Sequence, residues 1–385
     1  MAFNITNLVN AINAKSATVG ADSALDKAVL LASNVKNALI YSSSGDLPTA
    51  DSSNQGDLVR IGSSFGADTN YYVSHRDRWN LIDLSDTGAI VVGQYRPFQG
   101  SNYGFATNGS STDITKFPFA SDGNATDLGD LTQSYGSPMA GQSSGTHGYV
   151  TNNSGGNLIN KFPFTSNENA TNIGNLPQPS IGAGGGQSSS THGYNAGGRF
   201  TYIQKFSFTT DGDATANSGG LAVSTGNCAG QSDAINAFGY VTGGGGYNSP
   251  NVLRSDIQKF SFASEAAATD IGNLTQGRFY MSGQSSETHG YTTGGQTGIG
   301  PTASVISDRI DKFSFSSNGN ATDVGNLLQA QYGCSAGQSS TVSGYKSGGA
   351  PTTYHIEKFP FSTDADATDV GDLVTHRNYM AGQQY

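Results

Sequence analysis

The 385-residue chain holds 29 acidic against 19 basic residues, a net charge of −10, with 12% of its residues charged. That balance excludes nucleic acid and anionic membrane surfaces as partners, since both demand an excess of Lys and Arg. Fifty-three glycines exclude a helical solenoid, and two cysteines exclude a disulfide framework.

In chain order, residues 1–45 form the first distinct segment. Ile5, Leu8, Val9 and Ile12 recur at helical spacing, and Ser23 with Asp26 reads as a capping box. It opens a second stretch with Leu25, Ala28, Val29, Ala32, Val35 and Leu39 on one face. An apolar stripe through Leu25, Val29, Val35 and Leu39 must be covered. It either packs on the rest of its own chain or, as expected here, drives homo-oligomerisation or anchors the protein to a larger assembly. Residues 46–56 read as a linker. The N-terminus lacks the basic region and apolar run of a secretory signal, and no apolar stretch is long enough for a membrane span.

From residue 57 the chain reads as all-β. Three strand candidates at 58–62, 71–74 and 79–82 precede a repeat. Its Lys-Phe-x-Phe cores begin at Lys116, Lys161, Lys205, Lys259, Lys312 and Lys358, roughly 45–55 residues apart. Each unit offers four short strands: a Gly-Gln strand of small residues, a Gly-Tyr strand often closed by Gly-Gly, the Lys-Phe-x-Phe strand, and an Ala-Thr-Asp-x-Gly strand. Four strands in such a period make one blade of a β-propeller. The Gly-Gln strand appears seven times, at Gly93, Gly141, Gly186, Gly230, Gly283, Gly337 and Gly382. The expectation is therefore a seven-bladed propeller over 57–385, in which the C-terminal strand at 379–383 closes the blade containing Trp79. The alternative is a six-bladed ring with a separate N-terminal meander.

The Gly-Tyr-x-x-Gly-Gly strand followed by Ile-x-Lys-Phe-x-Phe resembles a divergent kelch repeat. More specifically, Lys-Phe-Pro-Phe, Ala-Thr-Asp-x-Gly-Asp-Leu and Gly-Gln-Ser-Ser-x-Thr-His-Gly-Tyr resemble repeats in structural proteins of marine tailed phages that infect cyanobacteria. The resemblance implies a virion protein, assembled in the host cytoplasm and released by lysis. It implies a tail-fibre or receptor-binding component that presents its propeller to host surface glycan. A capsid or neck decoration or head fibre, with a purely structural role, is the alternative. A cellular kelch-like scaffold or lectin is the second.

Candidate chemistry is sparse. His147, His192 and His289 share the Thr-His-Gly-Tyr context, but no second ligand recurs beside them, so hydrogen bonding in a turn outweighs metal binding. Residues 122–127 lack the glycine and glutamate of a calcium loop and read as a tight turn. The six repeat lysines read as stems laid along apolar surface. Ser, His and Asp are periodic here, whereas catalytic sets are singular, so no enzyme activity, metal or cofactor is expected. Insertions at 243–251 and 295–302 occupy the same place in neighbouring units. Enlarged loops on one rim are where a propeller recognises a ligand. Tyr247, Asn248, Asn251 and Thr297 are the candidate contacts, suited to sugar stacking and hydrogen bonding.

Overall fold

The structure is a computed structural model. It describes residues 99–385 apart from short stretches at 108–109, 137–138, 153–156, 179–183, 234–236, 247–251, 299–304, 334–335, 352–353 and 376–377. Before residue 99 it describes the backbone of five strands, Leu39–Tyr41, Leu58–Ile61, Asn70–Ser74, Trp79–Leu84 and Ile90–Gly93. The chain divides into two compact units, Met1–Tyr95 and Arg96–Tyr385.

The second unit is a propeller of six four-stranded antiparallel blades. The second blade shows the pattern. Met139–Ser143 is the inner strand, followed outward by His147–Asn152, Leu158–Pro163 and Thr171–Asn175. The inner strands of the third to sixth blades are Gly184–Ser188, Ala229–Asp233, Ser282–Ser285 and Ala336–Ser339. The first blade takes its inner strand from the C-terminus: Ala381–Gln384 pairs with Tyr103–Thr107, ahead of Asp113–Pro118 and Thr126–Asp130.

Six blades, not seven, complete the ring, and the C-terminal strand closes the blade of Phe105 rather than that of Trp79. The strands expected to form a seventh blade lie instead in a separate five-stranded sheet. The first Gly-Gln belongs to that sheet, because Gly93 ends Ile90–Gly93, which pairs with Trp79–Leu84. The physical reason is steric. Val91 and Val92 stand where true inner strands carry Met, Gly, Cys, Ser or Ala, and β-branched chains do not fit where six strands converge. The propeller accordingly begins near Arg96, not residue 57.

Leu39, assigned to the helical stripe, lies in the strand Leu39–Tyr41, which pairs in parallel with Leu58–Ile61. Its β-branched and aromatic neighbours Ile40 and Tyr41 favour that choice. Leu25, Val29 and Val35 fall outside the described residues.

Each repeat motif has a partner in the next blade. The Gly-Tyr tyrosine packs against both phenylalanines of the following Lys-Phe-x-Phe strand. Tyr149 meets Phe206 and Phe208 at 5.3 and 4.8 Å between ring centroids, and Tyr240 meets Phe313 and Phe315 at 5.3 and 4.9 Å. Phe105 takes the tyrosine's place in the first blade, against Phe162 and Phe164. Such aromatic contacts are each worth about 0.5–1.5 kcal/mol beyond area burial. Both faces of a blade are covered, which is why Ile257 and Phe260 are both buried although side chains alternate along their strand.

The lysines of these strands reach toward the next blade. Lys161, Lys205, Lys312 and Lys358 pair with Asp211, Glu265, Asp364 and Asp122 at 2.8–2.9 Å. Asp122, in the segment that superficially resembles a calcium loop, is thereby engaged by Lys358. Asn124 of the same segment accepts the Asp372 N–H at 3.0 Å. Lys116 and Lys259 lie instead over the rings of Tyr103 and Phe238, at 4.9 and 4.0 Å.

Candidate functional site at the axial mouth

The Gly-Gln-Ser triplet builds the axis. A Cβ on Gly283 would sit 2.1 Å from the Gly230 carbonyl oxygen, and one on Gly382 would sit 2.1 Å from that of Gly337. Backbone meets backbone there, so glycine is required. The neighbouring glutamine bonds forward to the next blade. Gln142, Gln187, Gln231, Gln284, Gln338 and Gln383 donate from Nε2 to the carbonyls of Tyr194, Tyr240, Tyr291, Tyr345, Phe105 and Tyr149, at 2.8–3.0 Å. The serine closes a second ring. The N–H of Ser143 donates to Ser188 Oγ, Ser188 to Ser232, Ser232 to Ser285 and Ser285 to Ser339, at 2.9–3.0 Å. Gln384 completes it, accepting from Ser339 N–H at 3.3 Å and donating its own N–H to Ser143 Oγ at 3.1 Å.

The glycines pinch the axis between two small cavities. On the serine side lies a space of about 40 Å3 bounded by Ser188, Ser232, Ser285, Ser339 and Gln384. The chain joins the propeller at this end, where Gln99 Nε2 donates to Ser285 O and Gly100 N–H to Ser339 O. At this end also lie the Thr-His turns. The Thr146 hydroxyl is 2.8 Å from His147 Nδ1, with the same distance at Thr191–His192 and Thr288–His289. Burial, together with the nearby repeat lysine, holds these imidazoles below the ordinary histidine range. Their ring nitrogens are tied into turns. Among the described residues no group of three or more His, Cys, Asp or Glu could hold a metal ion.

The opposite end is different. Its cavity, about 60 Å3, is lined by Met139, Cys228, Met281, Ser282 and Met380 with axial glycines. Burial pushes the Cys228 thiol up to about 12, so it is an inert wall rather than a nucleophile. Beside it stand three tyrosines. Tyr280 and Tyr379 occupy the third position before axial glycines Gly283 and Gly382, both in the left-handed region at φ +60° and +57°. For a bulky residue that conformation costs about 1–3 kcal/mol and marks a site held by its surroundings. The Tyr280 N–H donates to Asn227 O at 2.8 Å and the Tyr379 N–H to Gly333 O at 2.7 Å, so each residue hooks onto the segment just ahead of the inner strand of the preceding blade. The Tyr280 ring lies 6.2 Å from that of Tyr379 and 6.4 Å from that of Tyr332, bringing together the fifth, sixth and first blades.

Four charged residues are buried toward this end. Arg278 and Asp311 pair at 2.6 Å with both side chains inaccessible. Arg278 also donates to Gly294 O and Ser307 Oγ. In the sixth blade Lys346 donates to Gln331, and Gln331 to Glu357. Burial lowers Lys346 and raises Glu357 from their ordinary values. The enlarged loops stand on this rim too. In the fourth blade, strands Phe238–Gly246 and Val252–Ser261 extend to the loop, and in the fifth a hairpin pairs Gln296–Thr297 with Val305–Ile306. Thr297, a candidate ligand contact by sequence, is buried, and its hydroxyl donates to Val305 O at 3.1 Å. It holds the hairpin. Tyr247, Asn248 and Asn251 lie outside the described residues. Sequence reasoning passed over Tyr280, Tyr332 and Tyr379; the available signal was an aromatic just ahead of the Gly-Gln strand in three successive blades.

Fold and rim together define a β-propeller with one periodic and one individual end. No family model matches the chain, and no curated protein matches it. Among solved structures it is similar to one titled "Structure of YjhT", with a TM-score of 0.52 at 13% identity, covering 63% of this chain and 86% of that one. A likeness at this identity shows the propeller fold alone.

Proposed function

We propose that this chain is a virion structural protein of a tailed phage, a tail-fibre or receptor-binding component whose propeller presents its loop rim to host surface glycan. The observation that carries the reading is the asymmetry of the axis. Features the ring needs are repeated six times, whereas the strained tyrosines and the enlarged loops gather on one rim. Periodic residues build a scaffold, and singular ones on a shared rim suit recognition. The phage-like repeats support placement in a virion, with the segment before the propeller as its assembly end toward other virion proteins and further copies of the chain.

The test removes loop tips without touching their bases. Deleting 247–250 and 299–303 together is expected to lower adsorption of particles to host cells while the melting temperature stays within a few degrees. Undiminished adsorption would make the propeller a spacer, as in a capsid, neck or head-fibre decoration.

A further inference from the structure

We infer that Tyr280, Tyr332 and Tyr379 form an aromatic platform beside the axial mouth that takes one pyranose ring of a neutral polysaccharide. The inference rests on the glycan reading above and locates its central subsite, which the enlarged loops alone do not specify. The Tyr280 ring sits between those of the next two blades, 6.4 Å from Tyr332 and 6.2 Å from Tyr379. All three are partly exposed. The left-handed backbone at Tyr280 and Tyr379 recurs at Asn227, with φ +54°. The fourth, fifth and first blades thus share that conformation, and the fourth meets it with an amide residue. Two tyrosines there mark a choice of side chain that backbone geometry disfavours.

The chemistry of the surroundings selects the ligand. An aromatic face stacks on the C–H face of a sugar, and tyrosine adds a polar tip for its hydroxyls. Beside the rings the mouth is walled by glycine backbone, Met, Ala, Ser282 and Cys228, and among the described residues no charged side chain lines it. Glycine-rich backbone offers hydrogen-bond donors and acceptors without charge, which suits a neutral polyol. The mouth encloses about 60 Å3. That is well below the ~150 Å3 of a cavity that accepts benzene, so it offers no pocket for the aromatic anchor on which protein partners rely. A flat ring lying across the mouth is the occupant that fits.

Full-length protein titrated with a neutral glucan, galactan and mannan, and with anionic alginate, provides the test. At least one neutral polymer is expected to bind in preference to alginate. Tyr280→Asn with Tyr379→Asn, the residue the fourth blade holds at the same φ, should weaken that binding about tenfold, or ~1.4 kcal/mol, at unchanged melting temperature. Tyr280→Phe with Tyr379→Phe should retain it. If the wild type binds and the Asn pair binds equally well, the platform is overturned while the glycan reading stands. Loss of binding in the Phe pair as large as in the Asn pair overturns stacking as its basis. Binding of alginate alone overturns the platform for a neutral sugar while the glycan reading stands, and binding of none of the four overturns both together.

Discussion

The two ends of the propeller axis are made from the same six strands and obey different rules. At the serine end every blade contributes an equivalent bond, and the ring Ser143, Ser188, Ser232, Ser285, Ser339, Gln384 returns to its start. At the tyrosine end the fifth and sixth blades each bury a cation together with a carboxylate, Arg278 with Asp311 and Lys346 with Glu357. The difference teaches that ring closure is a collective property of weak repeated bonds. The other end is free to hold costly individual features because closure does not depend on them.

The strongest way to break that comparison is to remove closure. Deleting residues 379–385 takes away the inner strand of the first blade, the axial Gly382, the Gln384 links and the stack of Tyr385 on Phe164 at 5.4 Å. Open edges at Tyr103–Thr107 and exposed inner blade faces should abolish the cooperative melt and yield aggregates on size-exclusion chromatography. A monomer with an unchanged melting temperature would show that closure matters little.

The next effect belongs to the other end. Arg278→Met strands Asp311 as a buried carboxylate, which should cost about 3–5 kcal/mol in denaturant unfolding. Adding Asp311→Asn should recover much of it, because the amide oxygen can still accept from the Thr275 hydroxyl, now 2.6 Å from Asp311. A single variant within 1 kcal/mol of wild type would mean that the pair carries no such burden.

The smallest effect sharpens the comparison through pH. Burial holds Lys346 below its ordinary 10.5, with Glu357 opposing. The unfolded chain then binds a proton that the folded one has released, so stability rises with pH from the depressed folded value up to 10.5. Glu357 runs the other way: burial raises it, and stability falls as pH climbs from 4.5 toward its folded value. On the alkaline side, between about pH 8 and 9.5, unfolding free energy should increase by at most ~1.4 kcal/mol per pH unit. Lys346→Met should flatten that rise; a slope that survives the substitution would assign it to other groups.

Much of this molecule was legible as a period. Alternating strands, the glycine-rich inner strand and the fold class all follow from local spacing, and the six-bladed alternative with its separate meander was on the page. The blade count failed at Gly93-Gln94, because a dipeptide does not specify an inner strand; the small residues ahead of it do. The roles within Gly-Gln-Ser were not legible, since Gln142 bonds Tyr194 and Ser143 bonds Ser188 across blades, and such pairs leave no local pattern. The buried charges did leave one. The residue before each repeat lysine is Thr115, Asn160, Gln204, Gln258, Asp311 or Glu357, always polar and twice a carboxylate. In five of the six blades it serves as a hydrogen-bond acceptor for the connector arriving from the preceding blade: Asn160 for Thr132, Gln204 for Gln178, Gln258 for Val223, Asp311 for Thr275 and Glu357 for Leu328. A carboxylate at that place needs a cation, and Arg278 and Lys346 answer it.

The pairing of the last strand with the first blade also sets an order in time. Thr107 and Ala381, which share a hydrogen bond across that blade, lie 274 residues apart. At a ribosomal pace of roughly 5–20 residues per second, the strand of Thr107 waits about 14–55 s for its inner partner. Blades two to six can each assemble from consecutive sequence as they emerge. The first blade is thus begun earliest and finished last, and the ring snaps shut only on a chain translated through its final strand.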